Sequence, residues 1–151
     1  MMAAEGSGRI PLQLSRGCVV ASIQVDLSDE VLADFKEEML RLLHQSGARG
    51  VILDVSGVEL MDLEDFDALR RAMSMAKLMG ARCLLAGLRP GVVSALVDIG
   101  VDTRSVDAVL NLDEAFRVLD EPAKPLGETE SSEDRNARDA PEHPGEAAGE
   151  E

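Results

Sequence analysis

The chain has 151 residues, which suits one domain with some excess, and its 15 basic and 29 acidic side chains give a formal net charge of −14. Aromatic residues, which supply base-stacking surfaces, make up only 2% of the chain, and the excess of acidic side chains disfavours the basic face that phosphate binding needs. No apolar run approaches the roughly 20 residues of a membrane span, and the N-terminus has no signal-peptide character. We therefore predict a cytoplasmic protein that binds neither nucleic acid nor membrane.

The first predicted elements are a β-hairpin and a long helix. The sequence IPLQLSRGCVVASIQ, residues 10–24, contains two short apolar strands around Arg16 and Gly17, a natural hairpin turn. Ser28, or Asp26 before it, is the predicted cap of the following helix, which Gly47 ends. One face of this helix carries apolar side chains at helical spacing, namely Leu32, Phe35, Met39, Leu42 and Leu43.

The middle of the chain continues with a strand and a second helix. GVILDV, residues 50–55, is almost continuously apolar, as expected for a central parallel strand that is covered on both faces. Asp62 then stands at the N-cap position of a helix that Gly80 closes. The apolar face of this helix consists of Phe66, Leu69, Met73 and Ala76.

Two further strand and helix pairs complete the predicted domain. RCLLAG, residues 82–87, is a second buried strand, and Pro90 fits the first turn of a helix that Gly100 stops. DAVLNL, residues 107–112, predicts a short last strand, after which Asp113 starts the final helix. The side chains in line on that helix are Leu112, Phe116 and Leu119.

The spacing of these elements predicts the fold class. The strands begin near residues 18, 50, 82 and 107, and the first two intervals of 32 residues have the length of a βαβ unit. We therefore expect a compact α/β domain over residues 9–119, with about four helices. Its sheet is predicted to be mixed at the hairpin edge and otherwise mostly parallel.

Both ends of the chain are predicted to lie outside this domain. Residues 1–8 are expected to be a flexible N-terminus. Residues 120–151 contain 11 acidic and 3 basic side chains, four of the six prolines and almost no large apolar residue after Leu126. Such a segment cannot bury enough apolar surface to offset chain entropy, which predicts a disordered acidic tail. We favour solvation as its role over that of an electrostatic arm for a basic partner.

Cysteine and histidine usage predicts neither a metal site nor a disulfide. Cys18 and Cys83 each lie inside an apolar, strand-like run, which favours two buried, reduced thiols. His44 and His143 are far apart in sequence, and the second of them belongs to the predicted tail. We therefore expect no metal and no cofactor.

The sequence gives little support to catalysis, and we predict that the protein is not an enzyme. It has no glycine-rich phosphate loop, no zinc-protease motif and no serine-hydrolase motif. Asp54 ends the central strand, where receiver domains carry a phospho-accepting aspartate. However, only one acid, Asp26, follows the first strand, and the last strand lacks the lysine that receivers use. A strand-end aspartate that binds loop amides is the favoured interpretation of Asp54, with a receiver as the alternative.

Several segments carry a resemblance to a known family. They include ASIQ at residues 21–24, GARGVILDVSGVELMD at 47–62, SMAKLMGA at 74–81 and GLRPGVV at 87–93. Together they resemble the STAS domain of anti-sigma-factor antagonists, and within it the RsbS-type components of bacterial stressosomes. The resemblance covers about residues 9–119 and leaves the tail outside it.

The resemblance implies a mechanism that depends on protein partners alone. STAS antagonists bind an anti-sigma factor or a related switch serine kinase through the face around the turn before the second helix. The kinase phosphorylates a serine or threonine directly after the cap aspartate, and the added charge releases or redirects the partner. RsbS-type chains also assemble with RsbR-like sensor paralogues, so a homo- or hetero-oligomer is implied.

At the acceptor position the sequence departs from this pattern. The position falls on Leu63, directly after Asp62, and leucine has no hydroxyl to phosphorylate. Glu64 and Asp65 follow and supply fixed negative charge, which also favours the helix dipole. Ser56, six residues before Asp62, is the nearest hydroxyl and a candidate for a substitute acceptor.

Three functions therefore stay open at the level of sequence. The first is an RsbS-like stressosome scaffold or antagonist without a phosphorylation switch. The second is a constitutive anti-sigma-factor antagonist of another partner-switching system. The third is a receiver-like domain that accepts phosphate at Asp54.

Overall fold

The computed structural model describes residues 8–122, so the predictions for residues 1–7 and 123–151 lie outside the described residues. The strands are β1 Leu12–Ser15, β2 Cys18–Ser22, β3 Gly50–Asp54, β4 Arg82–Ala86 and β5 Ala108–Val109. They form one sheet in the order β1-β2-β3-β4-β5, antiparallel between β1 and β2 and parallel elsewhere. The α/β class and the mixed, mostly parallel sheet are thus confirmed.

The predicted hairpin turn depends on two residues with left-handed backbone. Arg16 has a φ of 53° and Gly17 a φ of 74°, the combination that lets a two-residue turn follow the twist of its strands. A Cβ at position 17 would also lie 3.0 Å from an Arg49 guanidinium nitrogen. This hairpin makes β1 the edge of the sheet.

The helices are α1 Asp29–Ser46, α2 Leu63–Leu78, α3 Pro90–Asp98 and α4 Leu112–Asp120, with a short 3-10 helix at Thr103–Ser105. Ser28 caps α1, since its hydroxyl accepts from the Val31 N–H, and Gly47 ends that helix at a φ of 64°. These features match the prediction, and all predicted stripe residues of α1 except the half-buried Leu42 are buried.

The last strand and helix differ in detail from the prediction. Asn111 caps α4, because its side-chain oxygen accepts from the Glu114 N–H at 2.8 Å, so Asp113 is a first-turn residue and not the start. Strand pairing within DAVLNL is limited to Ala108 and Val109. The helix also includes Asp120, one residue past the expected domain end.

Alternate residues of the central strands point into two separate cores. Val51 and Leu53 pack into the larger core with α1, α2 and α3, while Ile52 packs into a smaller core beneath α4. All three are fully buried, which explains why this strand is apolar at successive positions. The domain is therefore a sheet with three helices on one face and one on the other.

α4 is held against the sheet by arginines from three neighbouring segments. Arg49 forms an ion pair with Asp120, and Arg82 donates to the carbonyls of Val118 and Glu121 at 3.1 and 3.2 Å. The Arg16 guanidinium lies 4.8 Å from the centre of the Phe116 ring. Because Arg82 satisfies two carbonyls at the C-terminal end of the helix and Arg49 pairs with its last residue, they fix that end.

The close approach of α4 predicts a specific sensitivity at Gly50. A Cβ there would lie 2.7 Å from Leu119 Cδ1 and 3.2 Å from the Arg82 carbonyl. Gly50→Ala is therefore expected to lower the free energy of unfolding by about 1–3 kcal/mol, measured by urea denaturation. The double variant Gly50→Ala/Leu119→Ala should lose less free energy of unfolding than the sum of the losses of the two single variants. A loss equal to that sum would contradict the steric explanation.

Candidate functional site

The connection between β3 and α2 lies at the carboxyl end of the parallel strands, the edge at which α/β sheets usually present their sites. Its first turn is closed by the Asp54 carboxylate, which accepts from the Ser56 N–H at 3.0 Å. The Val58 N–H then donates to the Val55 carbonyl at 2.9 Å. Asp54 thus bonds a loop amide, as the favoured interpretation of this residue expected.

Asp62 and Asp65 form a reciprocal capping box at the start of α2. The Asp62 carboxylate accepts from the Asp65 N–H at 2.7 Å, and the Asp65 carboxylate accepts from the Asp62 N–H at 3.3 Å. Asp62 is thus the N-cap that the sequence predicted. Partial burial raises the pKa of the Asp65 carboxyl above its usual value. The hydrogen bond from the Asp62 backbone lowers this pKa, and the negative charge of Asp62 raises it.

The capping role of Asp65 was not predicted from the sequence, which assigned it only a favourable charge. The signal that could have found it is the spacing, since an acceptor three residues after an N-cap can reach back to the cap amide. Glu64, which stands between the two, is exposed and makes no side-chain bond among residues 8–122. Asp65 is therefore structural, and Glu64 is the freely presented charge of this turn.

Two apolar side chains are exposed at the same turn. Leu63 is the first residue of α2 and is 49% exposed, and Leu60 in the preceding loop is 89% exposed. Contiguous exposed apolar surface is one mark of a protein interaction site. No serine, threonine or tyrosine occurs between Ser56 and Ser74 in the sequence, so neither the loop tip nor the first turns of α2 offer a hydroxyl.

Ser56 is exposed, and its backbone is held from two sides. Besides the bond from its N–H to Asp54, its carbonyl accepts from Arg89 Nε at 2.8 Å. Arg89 Nη1 also lies 3.8 Å from the Glu59 carboxylate. Gly87 adopts a φ of 84°, and a Cβ there would lie 3.0 Å from the Ser56 Cβ. The loop is thus fixed to the connection between β4 and α3, a role of Arg89 that the sequence did not reveal.

A groove of about 300 Å³ lies beside this turn. It is lined by residues 24–27, residues 57–61 and Asp65, and it includes the acidic side chains of Asp26 and Glu59. The structure therefore brings Asp62, Leu63, Glu64 and Asp65 together on one helical turn next to an acidic groove. An acidic surface with exposed apolar groups favours a protein partner with a basic surface.

The two cysteines lie away from this turn, in β2 and β4. Both are buried, as predicted, and neither takes part in a disulfide. Burial raises the pKa of the Cys83 thiol to about 12, so the thiol stays protonated at neutral pH. Over residues 8–122, no three His, Cys, Asp or Glu side chains are grouped to hold a metal ion, and no helix is long and apolar enough to cross a membrane. His143 lies outside the described residues.

The capping box gives a direct test of the local structure. Asp62→Ala is expected to lower the free energy of unfolding by about 1 kcal/mol, because the Asp65 N–H loses its acceptor. Ser28→Ala removes the equivalent cap of α1 and serves as the matched control. Amide hydrogen exchange should accelerate in the first turn of α2 for the Asp62 variant and in the first turn of α1 for the control. If the first turn of α2 exchanged at the same rate in both variants, Asp62 would not be the cap of that helix.

Comparison with family models matches residues 9–115 to the STAS domain. Among solved structures, similarity is found to RsbS of Moorella thermoacetica, in a variant with a serine replaced by glutamate. The sequence identity is 28% and the TM-score is 0.63, and the match covers 74% of this chain and 95% of that one. A structure of the stressosome, described as a signal integration and transduction hub, matches with the same identity and TM-score over 72% of this chain and 95% of that chain.

A curated relative is similar over a shorter region. The RsbT co-antagonist protein RsbRA of Bacillus subtilis is 31% identical over 70 residues, which is 46% of this chain. The alignment spans 26% of RsbRA, so this chain corresponds to about a quarter of that protein.

Proposed function

Since the chain belongs to the STAS-domain family, we propose that it is a non-enzymatic regulatory protein of the RsbS type that acts in the cytoplasm through protein partners. The observation that carries the proposal is the match to RsbS over 95% of the length of that chain at 28% identity. The exposed apolar groups and the acidic groove beside α2 are the features of a docking surface. In this proposal the chain is a stressosome scaffold or antagonist.

The same proposal assigns a fixed charge state to the docking surface. In this proposal Leu63, the residue after the N-cap Asp62, occupies the position at which STAS antagonists accept phosphate. A side chain without a hydroxyl cannot be modified there, so the change of nearly two charges that phosphorylation brings is unavailable. Glu64 instead presents a permanent carboxylate at this turn. Partner binding would then be constitutive or regulated elsewhere.

The proposed partners are RsbR-like STAS proteins and a switch serine kinase or anti-sigma factor. The likeness to a stressosome chain and to RsbRA supports the first kind of partner. The acidic character of the groove lined by Asp26 and Glu59 supports a basic surface on the second. Homo- or hetero-oligomerisation follows from the first interaction.

Assembly provides the test of this function. The full chain would be mixed with an RsbR-like protein from the same genome and analysed by size-exclusion chromatography with light scattering. Co-elution in a particle much larger than either protein alone is expected. Binding of a serine kinase or anti-sigma factor without any such particle would instead support a constitutive antagonist of another partner-switching system. Absence of both interactions would refute the proposal.

A receiver-like function at Asp54 is the alternative from a different class. It requires the Asp54 carboxylate to accept phosphate, whereas one of its oxygens accepts from the Ser56 N–H. Incubation with acetyl phosphate and Mg²⁺, followed by mass spectrometry, separates the two functions. Stoichiometric phosphate on Asp54 would contradict the STAS-antagonist proposal.

A further inference from the structure

Arg89 stands at a position for which arginine is a poor local choice. It is the N-cap residue of α3, where serine, threonine, aspartate and asparagine are favoured because their short side chains accept from the first amides of the helix. The Arg89 side chain makes no capping bond, and a positive charge is unfavourable near the N-terminus of a helix. What this side chain does for the fold must therefore come from its contacts outside α3.

The guanidinium of Arg89 holds the loop before α2, residues 55–62, at two points. Its Nε donates to the Ser56 carbonyl at 2.8 Å, and its Nη1 lies 3.8 Å from the Glu59 carboxylate. The pair with Glu59 is exposed and contributes little by itself, so the charge-assisted bond to Ser56 is the stronger restraint. Because the guanidinium is planar and rigid, one group joins the start of the loop to its middle.

Close backbone approaches hold the same loop from both sides. A Cβ at Gly57 would lie 2.9 Å from Gln24 Cγ, in the connection after β2, and a Cβ at Gly87, directly after β4, would lie 3.0 Å from the Ser56 Cβ. The loop therefore lies between these two connections, and Arg89 closes the side that faces β4 and α3.

The middle of the loop presents two side chains to a partner. Val58 is half-buried against the larger core and Met61 is 6% exposed, whereas the Glu59 and Leu60 side chains between them are 81% and 89% exposed. Both of these exposed residues line the groove beside α2. A partner that binds them would have to order a loose loop at an entropic cost, and a loop that is already fixed removes that cost.

From these contacts we infer that Arg89 is a positioning residue for partner binding. It holds residues 56–60 in the arrangement that the partner recognises, and it acts through Ser56 and Glu59 and not by binding the partner itself. The inference rests on the proposed function, because it assigns this loop and its groove to the docking of a switch serine kinase.

The first test uses the free, full-length protein. In Arg89→Ala the amides of Ser56 and Val58, which bond the Asp54 carboxylate and the Val55 carbonyl, should exchange with solvent about 10-fold faster, measured by NMR. Arg104→Ala is the matched control, since it removes an exposed arginine that pairs only with Asp102 among the described residues, and it should change neither amide. The urea midpoint of both variants should stay near that of the natural chain.

The second test measures affinity for the switch serine kinase from the same genome by calorimetry. Arg89→Ala is expected to bind about 10-fold more weakly, and Arg104→Ala as tightly as the natural chain. Arg89→Lys keeps the charge but replaces the rigid fork with one ammonium on a flexible stem. Its amide exchange and its affinity should both lie between those of the natural chain and Arg89→Ala.

The outcomes separate this inference from the proposed function. Unchanged affinity of Arg89→Ala, or unchanged amide exchange, would overturn the positioning role. Weaker binding with unchanged exchange would identify Arg89 as a direct partner contact instead. Absence of kinase binding by the natural chain would also overturn the inference, whereas the assembly experiment with an RsbR-like protein decides the proposed function separately.

Discussion

Replacing Phe66 with alanine is expected to lower the free energy of unfolding by about 3–5 kcal/mol. The ring is 5% exposed and belongs to the larger core, where it begins the buried stripe of α2. Truncation to alanine removes most of its apolar contacts and leaves a void beneath α3, next to Leu85 and Leu96.

Urea denaturation followed by circular dichroism measures this loss. Leu63→Ala, which truncates a 49% exposed side chain on the same helix, is the control and should cost less than about 1 kcal/mol. A loss below about 1 kcal/mol for the Phe66 variant would contradict its role as the core anchor of α2.

The largest functional change is expected from Leu63→Ser. Incubated with a cognate switch kinase and ATP, the natural chain should take up almost no phosphate, because Leu63 offers no hydroxyl and none lies between Ser56 and Ser74. The variant restores the Asp-Ser pair of the resembling family at the N-terminus of α2 and should approach one phosphate per chain. The main obstacle is docking, since Glu64 adds negative charge that can repel the ATP-bearing cleft of the kinase.

Leu63→Ala is the matched control, because it removes the same apolar side chain without adding a hydroxyl. Intact-protein mass spectrometry gives the stoichiometry, and fragmentation gives the position. Phosphate on Ser56 or Ser74 of the natural chain would show that the acceptor has moved. Kinase binding without phosphorylation of the Leu63→Ser variant would show instead that position 63 does not correspond to the acceptor.

Local patterns in the sequence predicted most of the fold. The Arg16–Gly17 turn, the Ser28 and Asp62 caps and the spacing of 32 residues between strands depend on neighbours in sequence, and the structure confirms all of them. Asn111 was overlooked as a cap because Asp113, two residues later, is an equally good cap residue in sequence. The cap is decided by backbone geometry, which residue type alone does not specify.

The contacts that shape the candidate site were harder to predict from the sequence. Asp62, Leu63, Glu64 and Asp65 are contiguous, so their common location on one turn was predictable from the sequence. The bond from Arg89 to Ser56 joins residues 33 positions apart. Arginine occurs often on surfaces, so no local pattern distinguishes one that holds a loop from one that faces solvent.

Arg89 connects the loop before α2 to the start of α3. Its backbone is the N-cap position of α3, and its side chain makes no capping bond there but reaches the Ser56 carbonyl. Arg89→Ala would therefore remove the bond that ties the loop before α2 to the start of α3, while the sequence of that loop stays intact. The arrangement of the α2 turn thus depends on a side chain 33 positions away in sequence.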